Sequence, residues 1–401
     1  MLGFDEARAR LLADVRRVAT ERVPLTADAA GRVLLEDLVA RDPLPGFDHS
    51  AMDGYAVATA DLTGQGPFSL AVVGESRTGH PAPALAAGTA CRIFTGSSIP
   101  AGADTVIMQE NVTREGDMLH FSARPAVGQH IRREGEDLAR HAIALASGTR
   151  LTPPSLALAA MVERAEIVVA RRPRVTIACT GDELRAAGSE RLPASIPESN
   201  SAALAALAKQ AAAAVRIAPI VPDDPRATRK AIEGALDGTD VLLTVGGVSV
   251  GDHDVVRAAL EEAGVALDFW KVAIKPGKPL AVGRSAGAHV LGLPGNPASA
   301  LVAFVLFGMP LLRAMQGDAR PTPLPIVVRL AAARKRSPDR LELVRATLRP
   351  DGDRFAAHMH GNQASGATTS LAHSDGVALV PPGQGALEAG ALVDFVRWSD
   401  A

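Results

Sequence analysis

Three lysines on one short, stiffened segment are the most pointed chemistry in this chain. Lys271, Lys275 and Lys278 fall within KVAIKPGKP, where Pro276, Gly277 and Pro279 restrict the backbone. Ammonium groups on such a loop suit a multiply charged anion, because little freedom remains to be lost on binding. Read alone, the segment is also a solvated basic loop. A second feature is VGGVSVGDHD, with Gly246, Gly247, Ser249 and Gly251 ahead of Asp254. A glycine-rich turn entering a helix offers backbone N–H groups to a phosphate. It is neither a Walker A sequence nor G-x-G-x-x-G, and a tight turn before a capped helix has the same composition. Third, Glu183, Asp223 and Asp254 each follow an apolar run, and Asp182, Asp224 and Asp252 stand beside them as competing helix caps. Hard oxygen donors beside phosphate-binding groups are the usual way to hold Mg²⁺. Pro294, Gly295 and Asn296 follow a further apolar run, and Glu198 in ESNS reads as a cap or a site.

Three more polar clusters lie earlier: FDHSAMDGY (47–55), TGSSIP (95–100) and RREGED (132–137). Each reads first as a turn. His358 and His360 share one face of a strand by their spacing. The chain has no His-Glu-x-x-His and no Gly-x-Ser-x-Gly. Its two cysteines, Cys91 and Cys179, are too few for a disulfide framework or a Cys-rich metal site.

The elements that must position these residues follow from periodicity. Within 3–40 the apolar spacing predicts two helices, the second over 28–40. From 48 to 140, short apolar runs (Phe68–Val73, Ala90–Phe94, Thr105–Met108, Met118–Phe121) alternate with Gly, Pro and Asp turns, an all-β pattern. A helix over 153–165 opens on Pro153-Pro154. Helical segments thus flank the β module, which reads as an insertion into a discontinuous domain. From 173 the rhythm is βα: strands Arg174–Cys179, Val215–Val221, Asp240–Val245 and Ala266–Trp270, a strand near 288–292, and helices over 200–214, 225–236, 254–263 and 298–312. That alternation predicts a parallel sheet covered on both faces. Short strands return after 320 (Ile326–Leu330, Leu341–Leu348, Ala378–Val380, Leu392–Val396) and predict a small β-barrel or sandwich. In an open α/β sheet ligands bind beyond the carboxyl ends of the strands. The loops carrying Glu183, Asp223, the glycines, the lysines and Asn296 all fall there.

The composition narrows the classes. The chain has 401 residues, enough for several domains with cores of their own. Lys and Arg number 42 against 44 Asp and Glu, which argues against a nucleic-acid binder. Aromatic residues are 3%, so base- or sugar-stacking platforms are not expected to dominate. Ala286 to Leu312 contains no Asp, Glu, Lys or Arg and is long enough to span a bilayer, but Pro294-Gly295-Asn296-Pro297 interrupts it. A buried strand, turn and helix is the expectation, with no membrane partner. The acidic start, Asp5-Glu6, is unlike a secretory leader, so the cytoplasm is the expected compartment.

Seven motifs, in order, carry a family resemblance: FDHSAMDGYAV (47–57), RIFTGSSIP (92–100), IRREGEDL (131–138), TGDEL (180–184), VGGVSVGDHD (245–254), KVAIKPGKP (271–279) and LGLPGNP (291–297). The chain resembles, over essentially its whole length, the molybdopterin molybdenumtransferases of the MoeA type, which also resemble the C-terminal domain of gephyrin. The resemblance implies four domains: a discontinuous helical and extended dimerisation domain (1–47 and 141–172), an inserted, mostly-β domain (48–140), a molybdopterin-binding α/β domain (173–318) and a C-terminal β-barrel (319–401). It implies a homodimer with clefts shared between subunits. The substrates it implies are adenylylated molybdopterin and molybdate; molybdenum enters the pterin dithiolene and AMP leaves, with Mg²⁺ assisting.

The same resemblance assigns Asp53, Thr95, Glu183, Asp223, Asp254, Lys271 and Lys275 to catalysis; the carboxylate chemistry above then puts Asp223 and Asp254 near Mg²⁺. The loop chemistry adds Gly246, Gly247, Ser249, Gly251, Lys278, Pro294, Gly295 and Asn296 as substrate-binding residues, and a looser alignment to the family adds Arg345 and Ser365. Asp53 and Glu183 would line the pterin or metal end, Asp53 by reaching across the dimer. The chain departs from the family at His49, where Asn is frequent, at Glu198, where Asp is common, and at Ala364, where Gln-Gly-Ser is usual. Two other functions fit the residues less well: adenylylation of molybdopterin, whose simpler relatives are the α/β domain alone, and a non-catalytic pterin carrier.

Overall fold

The computed structural model describes residues 1–247, 255–277 and 279–400. They fall into two compact units, one of 1–36, 147–153 and 166–401, the other of 37–146 and 154–165.

The smaller unit is built on a six-stranded sheet in the order Thr105–Met108, Gly54–Val57, Thr89–Ile93, Phe68–Ser76, Met118–Phe121, Thr113–Glu115. All neighbours are antiparallel except Phe68–Ser76 with Thr89–Ile93. Tyr55, Val57, Phe68, Leu70, Leu119 and Phe121 fill one core. Ala56, Cys91, Ile93 and Val106 fill another. Neighbouring residues of one strand thus serve opposite faces, as the two-residue repeat requires. Gly54 has to be glycine, because a Cβ there would run into the Ile107 carbonyl.

In the larger unit the first helix forms at Phe4–Leu12. The second expected helix, over 28–40, does not. The chain instead makes a single 3-10 turn at Ala27–Ala29, takes a left-handed Gly31 (φ +78°), and runs extended. Val33 bridges to Arg150 and Leu34 to Val169. Both side chains are fully buried, and long-range pairing overrides a weak helical period. Before it, Thr20–Pro24 pairs antiparallel with Glu166–Ala170.

The α/β domain comprises β1 (Arg174–Cys179), α1 (Asn200–Gln210), β2 (Ala214–Ile217), α2 (Pro225–Leu236), β3 (Val241–Val245), α3 (Val255–Glu262), β4 (Ala266–Lys271), β5 (Pro279–Arg284), β6 (His289–Leu293) and α4 (Pro297–Met315). Its sheet order is β2-β1-β3-β6-β5-β4. β2, β1, β3 and β6 are parallel. β5 is antiparallel to both β6 and β4, so β4 points the same way as the parallel four. β5 is not among the strands expected from the sequence. Val241, Leu243 and Val245 of β3 pack with α1 and α4 on one face. Leu242 packs with Ile232, Val256 and Leu260 of α2 and α3 on the other. α4 is apolar and long enough to cross a membrane, yet it is 89% buried inside the protein. It is a core helix, with a π turn at Phe304–Gly308 before Pro310, which lacks the N–H a regular turn needs.

The C-terminal strands β7 (Ile326–Leu330), β8 (Leu341–Asp351), β9 (Arg354–Met359), β10 (Gly376–Val380) and β11 (Leu392–Arg397) close into a barrel in the order β8-β9-β7-β11-β10-β8. Val328, Val344, Ala357, Ala378 and Phe395 fill it. Closure removes the exposed edges a five-stranded sheet would present. The short strand Ile274–Lys275 pairs in parallel with the start of β8, opposing Lys275 to Glu342. The lysine segment of the α/β domain is thereby fastened to the barrel.

Candidate active site

Because β1, β2, β3, β6 and β4 share one direction, their following loops gather at one sheet edge. The first two are braced against each other. The Asp223 N–H donates to Asp182 Oδ1 at 3.0 Å, and the Asp182 N–H donates to Asp223 Oδ2 at 3.4 Å. Asp224 takes the capping duty, accepting from the Ala227 N–H at 2.8 Å at the start of α2. Asp223 is therefore left exposed with one carboxylate oxygen uncommitted among the described residues. Glu183 is also exposed, its carboxylate folded back over Gly181.

The glycine turn after β3 begins where the chain has to pass very close to β1. Gly246 and Gly247 both have positive φ, and a Cβ on Gly246 would sit 2.7 Å from the Thr180 carbonyl oxygen. The Thr180 hydroxyl is buried without a partner among the described residues. Gly295, after β6, packs against Gly246. Ser249, Gly251 and Asp254, expected in this loop, and Lys278 in the next, lie outside the described residues.

Glu198 is a helix cap. Its Oε1 accepts from the Asn200 and Ser201 N–H groups at 2.5 and 3.0 Å, and its Oε2 accepts from the Ser201 hydroxyl. Burial opposes its ionisation, but the Ser201 and Asn200 hydrogen bonds outweigh that and hold its pKa below the usual value. Cys179 donates to the same carboxylate at 3.4 Å. Burial first, and Glu198 second, push the thiol far up, so Cys179 is no nucleophile. Asn200 then donates to the Gly295 carbonyl at 2.8 Å, tying α1 to the PGNP loop.

From that loop Asn296 donates to the Ser365 hydroxyl at 2.9 Å, and the Ser365 carbonyl accepts from the Ala298 N–H at 3.1 Å. Residues far apart in sequence thus meet between the α/β domain and the barrel. Here lies a cavity of about 390 Å³, lined among others by Lys275, Gly277, Ser299, Arg334, Gln363 and Ser365. Glu342, 4% exposed, forms its charged floor. It accepts from Lys275 Nζ at 3.2 Å and from Arg334 Nη2 at 2.8 Å. Burial alone would raise its pKa, but Arg334 and Lys275 bring it below the ordinary value. Two cations share one anion, so the cavity carries surplus positive charge. Arg345 stands behind it, fully buried. Its guanidinium donates to the Ser370 hydroxyl at 2.9 Å and the Ala364 carbonyl at 2.9 Å, and Gln363 bonds its backbone on both sides. Arg345 thus shapes the Ser365 loop from within rather than lining the cavity. Lys271, at the end of β4, is exposed. Arg334 and Glu342 were missed by sequence reasoning, since neither sits in a Gly- or Pro-marked motif.

In the smaller unit the three early polar clusters are brought together. Asp48 accepts from Arg133 at 2.6 Å and from the Glu134 N–H at 2.8 Å, and the Ser50 N–H donates to the Ser97 carbonyl at 3.0 Å. Asp53 Oδ1 accepts from both the N–H and the hydroxyl of Thr95, each at 2.8 Å. Those two bonds lower the Asp53 pKa, so it is a carboxylate at neutral pH.

Comparison with known proteins decides the family. Residues 2–162 match the MoeA N-terminal region (domains I and II), residues 176–314 a probable molybdopterin-binding domain, and residues 327–398 the MoeA C-terminal region (domain IV). The chain is 38% identical over 98% of its length to the molybdopterin molybdenumtransferase of Synechococcus elongatus, covering 99% of that protein. The chain belongs to the MoeA family. The Bacillus subtilis molybdopterin molybdenumtransferase is 32% identical over 98% of this chain and 94% of its own length. Among solved structures, the molybdopterin biosynthesis MoeA protein of Pyrococcus horikoshii OT3 superposes with a TM-score of 0.82 at 29% identity, covering 99% of this chain and 100% of that one. The MoeA architecture of α/β domain, inserted β domain and terminal barrel is therefore that of this chain.

Proposed function

We infer that this MoeA-family chain is a molybdopterin molybdenumtransferase: it inserts molybdenum from molybdate into adenylylated molybdopterin and releases AMP. The observation that carries the reading is the Lys275–Glu342–Arg334 cluster, set in a cavity that Ser299 and Ser365 also line, beside the glycine and lysine loops of one sheet edge. A tetrahedral oxyanion needs surplus positive charge and short hydroxyl or amide donors, and this cavity supplies both. The glycine turn at Gly246 and Gly247 and the Asn296 loop, meeting next to it, suit the phosphates of the second substrate.

Mg²⁺ fits the donor chemistry of the same edge. Asp223 offers a hard, exposed carboxylate that capping does not consume, and Asp182 is hydrogen-bonded to its backbone. Asp254 is assigned the same duty. The ion would neutralise pyrophosphate charge as AMP leaves. Lys275 orients the oxyanion, while Lys271 and Lys278 supply further charge for substrate phosphates. Glu183, on the loop after β1, is assigned to the pterin or metal end. Asp53 and Thr95 form the pterin end, supplied in the homodimer by the neighbouring subunit. The reaction takes place in the cytoplasm.

The test is direct. Purified protein is mixed with adenylylated molybdopterin, Mg²⁺ and molybdate, and AMP is measured. Molybdate-dependent AMP release supports insertion. AMP transfer from ATP to molybdopterin instead would assign the preceding adenylylation step, and tight pterin binding without turnover would leave a carrier.

A further inference from the structure

The opposite edge of the α/β sheet holds a second basic cavity that the proposed reaction does not use. It measures about 660 Å³ and is walled by the starts of β1, β3 and β6, the Ser285–Ala288 turn between β5 and β6, and the segment at Arg16–Ala19. Five arginines are among its lining residues: Arg16, Arg17, Arg171, Arg174 and Arg284. Their compensation is partial. Asp240 accepts from Arg171 through both oxygens, at 2.7 and 3.0 Å, and also takes Arg174 at 3.4 Å. Arg284 pairs with Asp14, whose side chain is 88% exposed, so solvent screens that pair. Among the described residues Arg16 donates only to the Ala286 carbonyl, at 3.0 Å. Arg17 has no hydrogen bond or ion pair with any described residue.

An independent observation points to a ligand. His289, at the start of β6, is 5% exposed and lines this cavity. Neither of its ring nitrogens has a hydrogen-bond partner among the described residues. Its backbone N–H is used, donating to the Asp240 carbonyl at 2.8 Å, so the ring is held in place by the sheet. Buried polar groups are nearly always paired, and an orphaned imidazole in a cationic cavity lacks a partner that a ligand can supply. Burial, with Arg284 and Arg16 adding to it and Asp14 opposing, lowers the imidazole pKa to about 4. The ring is then neutral at pH 7, with one N–H to give.

We propose that this cavity binds a phosphoryl oxyanion, held by the free fork of Arg17, by Arg16 and Arg284, and by an imidazole N–H of His289. Planar guanidiniums match phosphoryl oxygens in pairs, which lysines do not. Asp240 keeps Arg171 and Arg174 in position and limits the charge they add. The volume admits more than inorganic phosphate, so pyrophosphate and a nucleoside monophosphate are the informative probes. The site sits at the edge opposite the loops of the proposed reaction, so the two can be titrated separately.

Equilibrium dialysis of the whole protein against inorganic phosphate, pyrophosphate and AMP tests this, paired with NMR of the histidine ring nitrogens. Saturable binding of at least one probe is expected, with a component that Lys275→Ala, which removes binding at the opposite edge, leaves in place and that Arg17→Ala and His289→Gln each weaken tenfold or more. The His289 nitrogen resonances should shift on binding. If His289→Gln fails to fold, Arg17→Ala, on an exposed side chain, still decides. Binding lost with Lys275→Ala but kept with Arg17→Ala would assign the anion to the opposite edge and overturn the proposal. So would the absence of saturable binding up to millimolar probe. A preference for pyrophosphate over AMP would identify the phosphoryl group itself as the ligand; the reverse would make the site one for a nucleotide.

Discussion

Lys275 shows how one residue can be set to work by another that sequence reasoning does not find. Its ammonium is half exposed, yet its partner Glu342 is buried and shared with Arg334. Lys275→Ala should slow molybdate-dependent AMP release by roughly a hundredfold, the order of losing one preorganised electrostatic contact, while circular dichroism stays unchanged. Glu342→Gln should leave two cations in the cavity unopposed, lower the melting temperature, and reduce turnover less than Lys275→Ala does. Asp240 supports a prediction about pH. Burial would raise its pKa, but Arg171 and Arg174 bring it down to about 2. The folded value lies below the unfolded one, so the native state binds fewer protons in acid. The stabilisation is complete above the unfolded pKa near 3.8 and is lost as pH falls toward 2. It is about 2 kcal/mol in all. Asp240→Asn should flatten the acid limb of a chemical-denaturation profile between pH 4 and 2; an unchanged limb would contradict the assignment.

At the scale of elements, the site depends on how loops are fastened. Glu198 closes the start of α1, and Asn200 carries that helix to the PGNP loop. Glu198→Ala should cost about 1 kcal/mol in denaturant unfolding, the usual value of a lost cap. Glu198→Asp, the residue common in the family, should retain most of it. The Ile274–Lys275 strand fastens the lysine segment to β8, and the buried Arg345 holds the Ser365 loop. Arg345→Lys keeps a charge but cannot reproduce the fork, so it should raise the KM for molybdate more than it lowers kcat.

At the scale of the whole molecule, the proposed residues fall in both units, with Asp53 and Thr95 in one and Lys275, Asp223 and Asn296 in the other. The homodimer with shared clefts proposed above would join such residues across subunits. Mixing Asp53→Ala protein with Lys275→Ala protein should then restore AMP release to about a quarter of wild type, the share expected when random exchange makes half the dimers mixed and each carries one intact site. No recovery after verified subunit exchange would place both residues in the same chain's site.

The sequence by itself determined the type and order of most elements and the chemistry of the loops. Thr105–Met108, Met118–Phe121, Arg174–Cys179 and Ile326–Leu330 form as strands where alternation or short apolar runs placed them, and α2 spans 225–236 as its period requires. The loop residues announce themselves because Gly, Pro, Lys and Asp are what turns and anions demand. Only the tertiary structure decided the rest. The segment after Gly31 is extended because Val33 and Leu34 pair with residues more than a hundred positions away. Arg334 and Glu342 enter the site because the barrel closes and presents the start of β8 to Lys275. Local spacing encodes periodicity and turn chemistry, which act over a few residues. It does not encode which distant strands meet, and that depends on the global burial of apolar faces and on the pairing of buried charge.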